Sequence, residues 1–180
     1  MLAEKLERLS KNDYYALPEG TNAELINGLI YDMSPAPLRI HQKLVGRIYH
    51  TIAGFIEKNN GKCEVYPAPF DVELSEDSVV QPDVSVICDP EKLTDKGCTG
   101  APDWVIEVTS SNYAHDYVYK LQLYFTYNVK EYWIVNPDRK TVTVYRLSEN
   151  YISTPYTFND NIPVGIYEDN LKINISELLK

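Results

Sequence analysis

The sequence predicts an α/β fold, bordering on α+β, in which a mixed central β-sheet is flanked by helices and preceded by a hairpin. Three observations predict it. The stretch 39–58 repeats Ile40, Leu44, Ile48, Ile52, Phe55 and Ile56 at spacings of three and four, which gives one apolar helical face. Three strand-like runs follow closely: CEVYPAPFDVEL (63–74), VVQPDVSVIC (79–88) and DWVIEVT (103–109). A second helical stretch, 112–128, then separates the third run from two more strands, EYWIVNP (131–137) and TVTVYRL (141–147).

Taken in order, residues 1–17 read as a short amphipathic helix with a connector ending at Pro18. Asn27-Gly28 stands between apolar stretches in AELINGLIYDMS (23–34), a strong two-residue hairpin signal. Asn59-Asn60-Gly61 should end the long helix. DPEKLTDKGCTGAP, rich in turn formers, reads as a loop. Ser110, Ser111 and Asn112 are N-cap candidates for the second helix. Pro137-Asp138-Arg139-Lys140 joins the last two strands as a hairpin, and ISELLK at the end reads as a short helix capped by Ser176. No repeat, low-complexity segment or linker interrupts the chain, so residues 1–180 are expected to form one domain.

Composition narrows the function classes. The chain is 44% hydrophobic and 24% charged, as a packed globular protein should be. It has no apolar run long enough to span a bilayer, so no membrane association is expected. MLAEKLERLS lacks the apolar stretch of a secretory signal, and a cytoplasmic setting is expected. Cys63, Cys88 and Cys98 are odd in number and widely spaced, which argues against a disulfide framework or a zinc site. The net charge of −9 argues against nonspecific coating of nucleic acid, which needs a basic surface. It does not exclude a nuclease, whose carboxylates recruit positive charge as a metal ion, and a basic patch can hide within the average.

Two strands carry carboxylates in apolar surroundings. In Asp103-Trp104-Val105-Ile106-Glu107-Val108-Thr109, alternation places Trp104, Ile106 and Val108 on one face and Val105, Glu107 and Thr109 on the other. For a single Glu the ordinary reading, an acid meeting water, is favoured; buried, it needs a cation. Asp83 opens the apolar run after Pro82, where the ordinary reading is a turn. The pair means more than either acid. On adjacent strands the two carboxylates converge, and such oxygen ligands suit Mg²⁺ or Mn²⁺, with the backbone carbonyl of Val108 as a third ligand. Asp116, Lys120 and Tyr124 share one helical face. Lys120 either neutralises a phosphate at the site or forms a helix salt bridge with Asp116.

Together these segments resemble the Uma-type restriction-endonuclease family. The resemblance rests on AELINGLIYDMSPAPLRIHQKL, QPDVSVI and GAPDWVIEVTSSN…HDYVYKLQLYFTYNVKEYWIVNP, and runs from about residue 23 to 147. It implies a restriction-endonuclease-like core of the PD-(D/E)XK nuclease fold and a metal-dependent endonuclease that hydrolyses phosphodiester bonds of nucleic acid, with DNA favoured. Asp83 and Glu107 match the metal-binding acids. Thr109 stands where the superfamily normally has Lys, and Lys120 is the candidate migrated lysine. Glu24 and His41 match a recurring upstream acid and histidine; His41 either faces the site or packs within the first helix. Asn128 and Asn136 replace the usual Gly and Asp at turn positions. Analogy with the fold admits a homodimer. Two rivals stand beside this reading: a catalytically inactive nuclease-fold module that binds nucleic acid or protein, and a carboxylate-pair glycosidase.

Overall fold

A computed structural model describes residues 8–33, 38–109 and 119–180. Helix α1 (Lys11–Tyr15) starts at a capping box between Ser10 and Asp13. Strands β1 (Ala23–Ile26) and β2 (Leu29–Asp32) form the expected hairpin, and Asn27 and Gly28 take the positive φ values that its turn requires. Helix α2 (Arg39–Lys58) fills the predicted stretch and buries Leu44, Ile48, Ile52 and Ile56. Asn60, at φ 49°, follows its C-terminus in the left-handed region.

The next two runs each split in two. The first becomes β3 (Glu64–Pro67) and β4 (Asp71–Ser75); the second becomes β5 (Ser78–Val80) and β6 (Val84–Ile87). Proline donates no N–H to a ladder, so the breaks fall at Pro67-Ala68-Pro69 and at Gln81-Pro82-Asp83. At each break the chain passes from one sheet to another. The loop expected next contains a further short strand, β7 (Gly97–Thr99), followed by β8 (Trp104–Val108). Helix α3 (Leu121–Thr126) covers the end of the second helical stretch. The candidate caps Ser110, Ser111 and Asn112, and Asp116, lie outside the described residues. Strands β9 (Glu131–Asn136) and β10 (Thr141–Arg146) form the second predicted hairpin. The tail adds β11 (Thr154–Thr157), β12 (Ile162–Pro163), β13 (Lys172–Ile173) and α4 (Ile175–Leu178). The cap of α4 is Asn174, whose side chain accepts from the Glu177 N–H, and not Ser176.

A mixed six-stranded sheet, β11-β10-β9-β8-β6-β3, forms the central layer. Its only parallel pair among the described residues is β8–β9, with α3 between them in sequence. On one face α2 packs its Leu44, Ile48 and Ile52 against Trp104, Ile106, Val108 and Trp133. On the other, Val105, Tyr132 and Ile134 meet Leu123 and Tyr124 of α3 and Ile26, Val72 and Val80 from a five-stranded sheet, β2-β1-β5-β4-β7. The predicted alternation of β8 is thus observed, and Glu107 lies on the second face. The expectation about cysteines is corrected: Cys63 and Cys88 are joined by a disulfide. Antiparallel pairing sets Glu64 opposite Ile87, so the residues flanking that pair stand side by side despite 25 residues of separation. No helix among the described residues is long and apolar enough to cross a membrane.

Candidate active site

Glu107 is 4% exposed, so the reading that it simply meets water does not hold. Its Oε1 accepts hydrogen bonds from Lys120 Nζ and from the Tyr124 hydroxyl, both at 2.9 Å. Lys120 is the residue just before α3 and is itself 3% exposed. Its ammonium also lies 2.9 Å from Glu24 Oε1. Glu24 comes from the middle of β1 in the other sheet, and the same oxygen accepts the Gln81 N–H at 2.8 Å. Buried charges persist where they are paired, and here one lysine bridges acids from two sheets. By formal charge, two carboxylates outweigh one ammonium. Burial, followed by the charge of Glu107, pushes the Tyr124 phenol well above its ordinary range, so it stays a hydrogen-bond donor.

Asp83 stands at the second proline break, where the chain leaves the five-stranded sheet for β6. Val84 pairs with Ile106, so Asp83 falls at the level of Glu107 as the two strands continue. Its Oδ2 accepts the Val108 N–H at 2.7 Å and faces His41 Nε2 at 3.1 Å. Thr109 sends its N–H to β9. Alternate residues of a strand bond to opposite neighbours, so the main-chain groups of Val108 face the β6 edge where Asp83 stands. The Asp83 side chain is 17% exposed, and among the described residues its Oδ1 makes no hydrogen bond. Ala68, in the first proline break, donates its N–H to the Asp83 carbonyl, so the two breaks meet at this site.

Five residues singled out in the sequence therefore fall into two linked groups, Glu24–Lys120–Glu107 and His41–Asp83, joined through Val108. Two further participants were not assigned roles from sequence. Tyr124 had a signal, its place one turn after Lys120; the Gln81 backbone had none. Asp103, which also follows a proline, has a separate duty: it accepts the Cys88 N–H at 2.7 Å and pairs with Lys130 at 2.6 Å.

A family model described as "Putative restriction endonuclease" (Uma2) matches residues 11–176. The chain belongs to this family. Among solved structures it is similar to "a putative nuclease belonging to DUF820" from Anabaena variabilis, with a TM-score of 0.75 and 20% identity over 94% of this chain and 97% of that one. That likeness shows the fold. No curated protein matches the chain. The matched range spans both groups of site residues, the elements that carry them, and Asn128 and Asn136. Asn128 holds a φ of 59°, a conformation ordinarily given to glycine. Asn136 caps the β9–β10 turn by accepting the Arg139 N–H.

Nuclease folds of this kind use a divalent cation, and the side chains here can be tested against one. Among the described residues no three His, Cys, Asp or Glu side chains cluster as a metal cage. The carboxylate donors are those of Glu107 on β8 and Asp83 just before the neighbouring β6, with Asp83 Oδ1 outside every described hydrogen bond and the His41 imidazole nitrogen already turned to Asp83 Oδ2. Hard oxygen donors with an excess of formal negative charge fit Mg²⁺ or Mn²⁺, ions that keep several waters and need few protein ligands.

Proposed function

We propose that this Uma2-family protein is a metal-dependent endonuclease that hydrolyses phosphodiester bonds of DNA. The observation that carries the reading is the buried ammonium of Lys120, fixed at 2.9 Å from both Glu107 and Glu24 beside Asp83. A structural ion pair alone would not call for two acids from different sheets with a third, part-exposed carboxylate on the N–H of the next residue, Val108.

In this reading Asp83, Glu107 and the Val108 carbonyl hold Mg²⁺ or Mn²⁺. The cation, when bound, polarises the phosphate and acidifies a water. His41 holds Asp83 Oδ2 and so fixes which oxygen is presented outward. Tyr124 and Lys120 do the same for Glu107 through Oε1. Glu24 keeps the Lys120 ammonium in place, where it stabilises the negative charge that develops on the phosphoryl oxygens. Hydrolysis leaves one phosphomonoester and one hydroxyl and needs no covalent intermediate.

A second reading, an inactive nuclease-fold binding module, has one observation in its favour: the Lys120 ammonium is paired with Glu24 and Glu107 as a structural ion network would be. Cleavage of plasmid and oligonucleotide DNA in Mg²⁺ and Mn²⁺, by wild type, Asp83→Asn and Glu107→Gln, separates the two. Active wild type with both variants at background supports the enzyme. Millimolar Mn²⁺ should also raise the wild-type Tm, by linkage to the folded state, and Asp83→Asn should shrink the rise. A wild type that neither cleaves nor responds to Mn²⁺ leaves the binding module.

A further inference from the structure

We propose that the solvent face of α2 is the track along which the nucleic acid reaches the site, with Arg39, Lys43 and Arg47 taking successive phosphates. The inference rests on the nuclease reading for its ligand. Its own evidence is charge placement. The whole chain carries −9, yet between Arg39 and Ile56 the helix has three cations and no carboxylate before Glu57. The three stand four residues apart, so they form one stripe along roughly 12 Å of helix. Arg39 and Arg47 are exposed; Lys43 is half-buried, with its ammonium on the Leu179 carbonyl. The buried stripe of the same helix, headed by His41, Leu44 and Ile48, points the other way.

Two features separate this stripe from an ordinary solvated helix face. First, Arg39 is the opening residue of α2, and the first turn contains no acid. A cation there opposes the helix dipole, so the local rule favours Asp or Glu. Secondly, the stripe begins at the end of α2 nearest the site, on the side of the helix away from it. His41, in the same first turn, is hydrogen-bonded to Asp83. A polyanion held along α2 would need to pass only around the first turn of the helix to reach Asp83, without requiring a basic protein overall. Affinity from phosphate contacts is lost steeply as salt rises, and that gives the track its readout.

The test measures fluorescence anisotropy of a short fluorescein-labelled DNA strand, single and annealed, against salt concentration. Ca²⁺ replaces Mg²⁺ and Mn²⁺, and the series is repeated in EDTA. Arg39→Gln/Arg47→Gln should weaken binding roughly tenfold or more at low salt, and flatten the log–log salt slope by about 1.5, from about 0.7–0.9 per phosphate contact. Lys58→Gln/Lys62→Gln, at and beyond the far end of the helix, should leave both nearly unchanged. Circular dichroism checks that the exposed substitutions keep the fold. If the arginine variant binds like wild type with the same slope, the track is wrong while cleavage by wild type keeps the nuclease reading. If wild type binds through the arginines but never cleaves in Mg²⁺ or Mn²⁺, the track stands and catalysis falls. If wild type binds no DNA in either form, both fall.

Discussion

A lysine 3% exposed against two carboxylates is tied to the fold as well as to chemistry, and this changes what its removal should do. From sequence alone, Lys120→Ala is expected to abolish cleavage while barely changing the fold if Lys120 serves the site, and to leave any cleavage alone if it only pairs with Asp116. With the ammonium gone, Glu24 and Glu107 stay buried without their cation, and breaking a buried pair in this way costs about 3–5 kcal/mol. Urea unfolding should therefore show a large loss for Lys120→Ala, partly recovered by Mn²⁺, together with loss of cleavage. Lys120→Arg should keep more stability but not activity, because a planar fork does not replace a compact ammonium between two oxygens. Near-wild-type stability of Lys120→Ala would show that the acids do not depend on it. At this scale the sequence was informative about residue type and uninformative about partners. Alternation put Glu107 on one face of its strand; only the packing of β1 over that face supplied Glu24. Lys120 could be seen one turn before Tyr124, but its link to the other sheet could not.

Elements were legible where a local rule decides them. Asn27-Gly28 and the three- and four-residue spacing of α2 each specify one structure. The runs 63–74 and 79–88 read as strands, but their division between two sheets follows from prolines whose effect depends on which ladder the neighbours join. β7 escaped notice because three residues within a turn-rich stretch have no period. Gly97 shows why it forms there: a Cβ would stand 2.0 Å from the Asp71 carbonyl oxygen, across the parallel β4–β7 pair. The hairpin that carries Glu24 offers the sharper test. Gly28 has a φ of 77°, and a Cβ on it would come within 2.7 Å of the Arg8 Cβ. Gly28→Ala should cost about 1–3 kcal/mol through backbone strain and displacement of the segment before α1. Since β1 also presents Glu24 to Lys120, the variant should lose cleavage out of proportion to the fraction unfolded. A stability loss with full activity would uncouple the hairpin from the site.

Across the whole molecule, distant segments are held by pairings that no local pattern announces. The Cys63–Cys88 disulfide is one, and it runs against the reducing setting expected from the N-terminal sequence. Glu131 is another. Its carboxylate accepts from the Trp133 indole at 2.7 Å and the Ile166 N–H at 3.0 Å, and faces Arg146 Nε at 3.6 Å. It thereby ties β9 and β10 to the tail whose Ile162, Val164, Leu171, Ile173 and Ile175 complete the core under α2. Burial raises the Glu131 carboxyl above the ordinary glutamate value, and the Trp133, Arg146 and backbone donors offset this only in part. The folded protein then holds that proton more tightly than the unfolded chain does. The contribution of Glu131 to stability is accordingly greatest below the unfolded glutamate value, about 4.3, and is lost as pH rises through the higher folded value. Glu131→Gln removes the titration while leaving an oxygen that can accept one of the two hydrogen bonds. Unfolding free energies of both proteins, measured from about pH 4 to pH 7, should show the wild type losing stability relative to Glu131→Gln as pH rises. Parallel curves would mean that Glu131 titrates alike in both states, and that its buried bonds fully compensate its burial.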